Sequence, residues 1–179
     1  SGAGKTTVSQ SLVEIFGAVR LRSDVERKRL HGLEALAKTG AAPGAGIYSP
    51  QSDRLTYGRL AALADEILGA DYPAVVDAVF LKGAWREMFR EFARERAAPC
   101  VLVACTAPEA TLRERVARRE RDGTDASEAG VAVLERQIAA IEPLSSAELD
   151  DAVLVDTGGG GLPASAVDTL ARRLRIEPA

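Results

Sequence analysis

The first seven residues, Ser1–Thr7, read SGAGKTT and match the end of the pattern G-x-x-x-x-G-K-[ST], with Gly4, Lys5 and Thr6 in its last three places. That order of residue types suits a polyphosphate. Ser1, Gly2, Ala3 and Gly4 supply successive backbone amides that turn inward around phosphate oxygens, and the glycines permit the turn. Lys5 brings a point charge for β- and γ-phosphates, Thr6 brings a hydroxyl for magnesium, and Thr7 continues into a helix whose positive dipole end faces the same anion. A flexible terminus that merely contains glycine and lysine is the bland alternative, and the α/β pattern downstream argues independently against it.

Two carboxylates stand where strands should end. Arg22-Ser23-Asp24 follows a predicted strand at Ala18–Leu21, and Asp77 closes the apolar run Val75-Val76. In a parallel sheet the carboxyl ends of strands line one crevice, so both acids are expected to face the bound phosphates. Asp24 is placed to orient an acceptor hydroxyl and take its proton, with Arg22 and Arg27 holding a polar or anionic acceptor. Its competing role is to complement a helix dipole, but Ser23 with Glu26 reads as a capping box that already serves that helix. Asp77, alone a weak signal, forms with Thr6 a candidate pair for magnesium.

The stretch Pro108–Asp122, PEATLRERVARRERD, carries Arg113, Arg115, Arg118, Arg119 and Arg121. Leu112 and Val116 anchor one stripe of that helix, which leaves arginines for the others. Phosphoryl transfer needs positive charge over the migrating group, and an arginine-bearing lid supplies it while excluding water. At least two of the five are expected to be ordinary solvated charges paired with Glu114 and Glu120.

Strands and helices alternate around these residues, which predicts an α/β layered fold with a mostly parallel sheet. Strands are expected at Ala18–Leu21, Ala74–Val79, Cys100–Cys105 and Ala152–Val155. Helices are expected at Lys5–Phe16, Asp24–Ala37, Pro50–Leu68, Lys82–Arg96, Pro108–Arg121, Ser127–Ile141 and Pro163–Leu174, on apolar spacings of three and four such as Trp85, Phe89 and Phe92. Thr106 with Glu109 and Ser145 with Glu148 read as further capping boxes. Loops are expected at Thr39–Gly46 and, as a flexible exit from the last strand, at Asp156–Gly161.

Composition narrows the function classes. At 179 residues, 46% hydrophobic and 27% charged, the chain is expected to form one domain over 1–179, with the arginine-bearing lid at about 108–130. The net charge of −3 offers no global attraction to nucleic acid or anionic lipid. No apolar run approaches the roughly 20 residues a bilayer demands, so a cytoplasmic address is the default expectation. A single histidine, His31, argues against a His-based triad or multi-His metal site. Cys100 and Cys105, about 16 Å apart along one predicted strand, are expected to be reduced core residues.

Taken together, SGAGKTT, RSDVERKRL, GIYSPQSDRLTYGRL, AVVDAVFLKGAWREMF and the TAPEATLRERVARRERDGTDASEA segment resemble the P-loop kinases of the AAA-type ATP-binding group, which includes polynucleotide-kinase-like, zeta-toxin-like and gluconate- or shikimate-kinase-like enzymes. The resemblance implies a three-layer P-loop NTPase sandwich with parallel strand order 2-3-1-4-5, ATP and Mg2+ as cofactors, and phosphoryl transfer to a hydroxyl of a small molecule. It also implies Asp24 as base, Arg115 beside the adenine, Arg118 or Arg119 near the γ-phosphate, and an acceptor-binding region at about 22–69 with Tyr48, Arg54 and Tyr57 on its elements. Two other readings stay open: a kinase for the 5′-hydroxyl of nucleic acid, disfavoured by acidic charge and 4% aromatics, and a nucleotide-gated ATPase or binding module without an acceptor.

The motif's first glycine would lie two places before Ser1, and no strand feeds the loop. Similar domains occur fused behind an aminoglycoside-phosphotransferase-like domain, so an upstream fused domain is expected. A missing central strand of about five buried aliphatics, at roughly 1.5–3 kcal/mol each, is comparable with a domain's whole stability. The 179 residues alone are therefore expected to give no cooperative urea transition and no ATP binding, to be checked by circular dichroism and nucleotide titration.

Overall fold

Parallel strands alternate with helices along the chain because apolar runs of four residues alternate with amphipathic stretches of helical period. In this computed structural model the described residues are 1–41, 44–123 and 125–178. Part of the expected Thr39–Gly46 loop (Ala42 and Pro43), Thr124 of the expected lid, and Ala179 at the end of the expected domain lie outside them. The elements run α1 (Lys5–Phe16), β1 (Val19–Arg22), α2 (Ser23–Leu30), a 3-10 turn (Gly46–Tyr48), α3 (Pro50–Gly69), β2 (Ala74–Asp77), α4 (Gly83–Glu95), β3 (Val103–Thr106), α5 (Glu109–Asp122), α6 (Val131–Ala140), α7 (Ser146–Asp151), β4 (Val153–Asp156) and α8 (Ala164–Leu174).

Two parallel pairs form, β1 with β2 and β3 with β4. They are the pairings that the order 2-3-1-4-5 demands of its strands 2, 3, 4 and 5. Register decides which side chains meet at the sheet edge: Val19 pairs with Ala74 and Arg22 with Asp77, so an arginine and a carboxylate end side by side at the carboxyl end. In the second pair Thr106 meets Asp156.

Helices cover the strands through two apolar clusters. Val8, Leu12 and Phe16 of α1 pack with Val153 and Val155 of β4 and Ala166 and Leu170 of α8, with Val75, Val103 and Cys105 alongside. The other cluster joins Leu21, Tyr57, Leu60, Ala64 and Ala78, flanked by Phe80, Trp85, Phe89 and Phe92. Tyr57 stacks flat on Trp85 with centroids 4.6 Å apart, and Phe80 meets Phe89 edge-on at 5.4 Å. Aromatic pairs in these geometries add about 0.5–1.5 kcal/mol beyond their buried area.

Several expectations need correction. Helix α2 stops at Leu30, seven residues short of the expected Ala37, because the chain turns through Gly32 at φ 67°. Ser23 lies inside α2, whose N-cap is Arg22 and has no side-chain cap, so the Ser23–Glu26 box does not form. Glu26 turns instead to Arg29 and Arg59. The Thr106–Glu109 box is likewise absent, since Pro108 occupies the N-cap of α5. Ser145 and Glu148 do form a complete box, and it opens α7, a helix missing from the expected elements. Strand β2 ends at Asp77 rather than Val79, and β3 begins at Val103. Cys100 is consequently exposed and outside the strand, whereas burial pushes the Cys105 thiol up to about 11; both are free.

One buried ion pair ties α4 to α7. Arg86, 6% exposed, donates from Nε to Glu148 Oε1 at 2.5 Å and from Nη2 to Oε2 at 3.1 Å, and caps the carbonyls of Phe80, Glu142 and Pro143. The Arg86 guanidinium, aided by Ser145, holds the Glu148 carboxyl down at about 2. A depressed carboxyl stabilises the fold at pH above its ordinary value, and that contribution fades as pH falls through the folded value. Glu148→Gln should destabilise the intact protein by about 3–5 kcal/mol at pH 7 because Arg86 is left buried without its counter-charge. The deficit should shrink as pH drops from about 4.5 towards 2, as read by urea midpoints of the two proteins across that range.

Candidate functional site

The loop before α1 is shaped by two glycines. Gly2 (φ 77°) and Gly4 (φ 72°) adopt the left-handed conformation, and a Cβ on Gly2 would sit 2.7 Å from the Leu112 carbonyl oxygen. Gly4 is the N-cap of α1, so the helix opens directly out of the loop with Lys5 and Thr6 in its first turn. Among the described residues no side chain caps that end, which leaves the α1 amides facing the cleft for an anion.

Asp77 locks this turn to the sheet. Thr6 Oγ1 and Ser9 Oγ each donate to Asp77 Oδ2 at 3.2 Å, and Arg22 Nε lies 3.9 Å from the same oxygen. Arg20, one pleat earlier on β1, donates to the Thr6 carbonyl at 3.1 Å and to Ser9 Oγ at 3.3 Å. A hydroxyl and a nearly buried carboxylate meeting beside the loop are hard oxygen donors of the kind Mg2+ takes, so the residues fit that ion.

A cleft of about 490 Å³ runs from Gly2, Gly4, Lys5, Thr6 and Thr7 to Arg115, Arg118, Arg119 and Asp122 of α5, to Asp125 beyond it, and to Thr157, Gly160 and Gly161 after β4. Arg115 closes one end: it donates to Thr157 O at 2.7 Å, to Thr157 Oγ1 at 3.0 Å and to Gly2 O at 3.3 Å. Beside it, a pocket of about 30 Å³ is bounded by Ser1, Lys5, Thr6, Arg22, Asp24, Asp77 and Arg119. Lys5, Thr6 and Arg119 border both spaces. Asp24 sits in the first turn of α2, and among the described residues no hydrogen bond or ion pair reaches its carboxylate. The turn that frames this pocket beyond Asp77 is held in an uncommon conformation. Phe80 has φ 48°, its N–H donating to the Tyr57 hydroxyl at 3.3 Å and its carbonyl accepting from Arg86 at 3.1 Å. Such a left-handed non-glycine residue costs about 1–3 kcal/mol and persists where its surroundings determine it.

The remaining candidates divide. Ala3 belongs to the loop, where Thr157 Oγ1 donates to its carbonyl at 3.2 Å. Arg27 is 7% exposed and engaged by the Ile47 carbonyl, Ser52 and Asp53, with its guanidinium 5.4 Å above the Tyr48 ring; it lines neither space. Tyr48 is half-buried, and burial together with the charges of Asp24 and Glu128 pushes its phenol up. Tyr57 faces the aromatic cluster, its phenol pushed up to about 12 by burial, and Arg54 is exposed on α3 outside both linings. On α5, Arg113 pairs with Glu109 and Glu135, not with the expected Glu114 or Glu120. Sequence reasoning missed Ser9, Arg20, Asp125 and Thr157. The sequence signal for Thr157 was the DTGGGG stretch, read only as a flexible exit.

The chain's residues 1–144 match the model of the AAA domain family, and the chain belongs to that family. Its parallel strands and glycine-lysine-threonine loop make it a P-loop NTPase of the kinase-like, nucleotide-binding kind. Among curated relatives, the uncharacterized protein Rv2004c of Mycobacterium tuberculosis and Mb2027c of Mycobacterium bovis are each 23% identical over 158 residues, 88% of this chain. The chain spans about 30% of the length of those relatives. A sugar kinase from Janibacter superposes with TM-score 0.66 at 18% identity, over 98% of this chain and 90% of that one. A gluconokinase from Sinorhizobium meliloti gives 0.57 at 24%, over 98% and 89%. Kti12 of Chaetomium thermophilum, solved with ADP-AlF3, gives 0.63 at 14%, over 96% and 93%. These likenesses establish the fold. No helix among the described residues is long and apolar enough to cross a membrane.

Gly2→Ala should weaken nucleotide binding at least about a hundredfold, since its Cβ meets backbone that cannot retreat. Titration of a fluorescent ATP analogue into the intact protein checks this, with an unchanged far-ultraviolet spectrum as the folding control.

Proposed function

We propose that this protein is an ATP- and Mg2+-dependent phosphotransferase that moves the γ-phosphoryl group to a hydroxyl of a small molecule. The observation that carries the reading is the junction of two spaces: a cleft suited to a nucleotide meets, at Lys5, Thr6 and Arg119, a small pocket that holds Asp24 and Asp77. In this reading the loop amides of Gly2 to Lys5 and the start of α1 hold the phosphates, and Arg115 closes the base end. Lys5, Arg118 and Arg119 balance charge on the migrating group. Thr6 and Asp77 would hold Mg2+, directly or through water, and the ion would neutralise phosphate oxygens. The expected lid is then α5 with its exit, and the acceptor enters beside α2.

Asp24 accepts the proton of the acceptor hydroxyl as that oxygen bonds to the γ-phosphorus, and the β–γ bridging oxygen departs with its electron pair on ADP. Its carboxylate is suited to this because no protein donor competes for it among the described residues. The lost Ser23–Glu26 box means that Asp24 also complements the α2 dipole, and one carboxylate can serve both ends. In a protein of those relatives' length, the region that this chain does not span is proposed as a covalently fused partner of this module.

Asp24→Asn should lower kcat about 10²–10⁴-fold while leaving the Kd for ATP within about threefold. Phosphorus NMR with ATP, Mg2+ and pooled hydroxyl compounds, alongside nucleotide titration, measures both. A parallel loss of ATP binding would return Asp24 to a purely structural role. Stoichiometric ATP hydrolysis with no phosphorylated product would favour the nucleotide-gated module instead.

A further inference from the structure

Four cations of the α2 side, Arg22, Arg27, Lys28 and Lys38, are already matched with protein acceptors. Arg22 borders the small pocket, but its Nη2 donates to both carboxylate oxygens of Asp125, at 3.0 and 3.1 Å. Its Nε lies 3.9 Å from Asp77. Lys28, wholly buried, donates to Ala126 O at 2.7 Å and Ala35 O at 3.1 Å and pairs with Glu128 at 3.3 Å. Arg27 is consumed by Asp53 and the Ile47 carbonyl. Lys38 donates to the backbone carbonyl of Asp125 at 3.1 Å.

Asp125 is not a loose surface acid. Its Oδ1 also accepts the Ser127 N–H at 2.8 Å, and nearby residues are tethered: Ala126 by Lys28, and Glu128 by Lys28 and by the N–H and hydroxyl of Thr39. Burial opposes its ionisation, yet the Ser127 N–H and the Arg22 charge hold its carboxyl below the usual range. Asp125 thus stays charged and fixed against Arg22. The small pocket then presents Asp24 and Asp77 against Arg22, Lys5 and Arg119. Lys5 and Arg119 also border the cleft that would hold the strongly negative triphosphate, and Asp125, which lines that cleft, engages Arg22. A carboxylate or phosphate on the acceptor would need a free guanidinium there, and a hydroxyl donor would not.

Resting on the proposed kinase reading, we infer that Asp125 is a specificity-determining residue that reserves the acceptor pocket for uncharged polyhydroxyl compounds and turns away their carboxylic acids by occupying Arg22. Discrimination of this kind comes from withholding the cation as much as from offering acceptors to hydroxyls.

Matched pairs that differ only in charge test it: glycerol and glycerate, ribitol and ribonate, glucitol and gluconate, each with ATP and Mg2+ and the intact protein. The neutral member of any pair that is phosphorylated should lead its acid by at least about tenfold in kcat/KM. Asp125→Asn, which keeps an oxygen for the Ser127 N–H but surrenders the charge, should move that ratio towards the acid by at least about tenfold. Asp125→Ser, with a shorter side chain, should move it the same way if the amide packs poorly. Preference for the acid in the unmodified protein, or an unchanged ratio in both variants, overturns the inference and leaves the kinase reading in place. ATP turnover with no phosphorylated member of any pair removes the kinase reading, and the inference falls with it.

Discussion

A single carboxylate fixes the geometry on which the site depends. Asp77, at the end of β2, is 6% exposed in its side chain and accepts hydroxyl hydrogen bonds from Thr6 and Ser9 on the first turns of α1. Those bonds set how far the helix amides stand from the strand edge, and therefore where an anion held by the loop would lie relative to the sheet. Parallel register then places Arg22 beside Asp77, so the acidic and basic sides of the small pocket come from neighbouring strand ends. A loop of glycines alone would have no such reference point.

A second constraint joins two parts of the chain far apart in sequence. The exit of α5, at Asp125–Glu128, is fastened to α2 and to Lys38–Gly40 by Arg22, Lys28 and Thr39. Arg119 adds a bond to the Ala129 carbonyl at 2.7 Å from within α5. The arginine-bearing helix is thereby positioned over the loop by contacts with α2 as well as by its own packing through Val116, which is wholly buried. Charge on α5 is thus divided by environment: Arg113 lies in a surface network, Arg115 bridges the loop to Thr157, and Arg118 and Arg119 border the cleft.

Much of this was legible in the residues because it rests on local chemistry. Helix α1 has its expected bounds, Lys5–Phe16, since the glycine loop fixes one end and Gly17 in a left-handed conformation fixes the other. Lys5, Thr6, Asp24, Asp77, Arg115, Arg118 and Arg119 converge on two adjoining spaces because strand ends share one edge. What was not legible is what depends on contacts remote in sequence. Arg27 and Tyr57 carry the residue types of an acceptor site, but the 3-10 turn and the aromatic cluster absorb them. Asp125 gave no local signal, since its meaning comes from an arginine 103 residues away. Of three capping boxes read from spacing, only Ser145–Glu148 forms, because tertiary context set the other two helix starts elsewhere.

The fully enclosed ammonium of Lys28 bears on how such a sequence can drift. Its partners sit on both sides of the crevice, at Ala35 and at Ala126 with Glu128, so replacing the lysine alone strands an anion, and replacing the glutamate alone strands a cation. Positions 28 and 128 are therefore expected to change as a pair in descendants of this chain. An insertion on either side of the crevice must preserve the reach of one aliphatic stem, which makes the two halves heritable as a unit even though they are about a hundred residues apart.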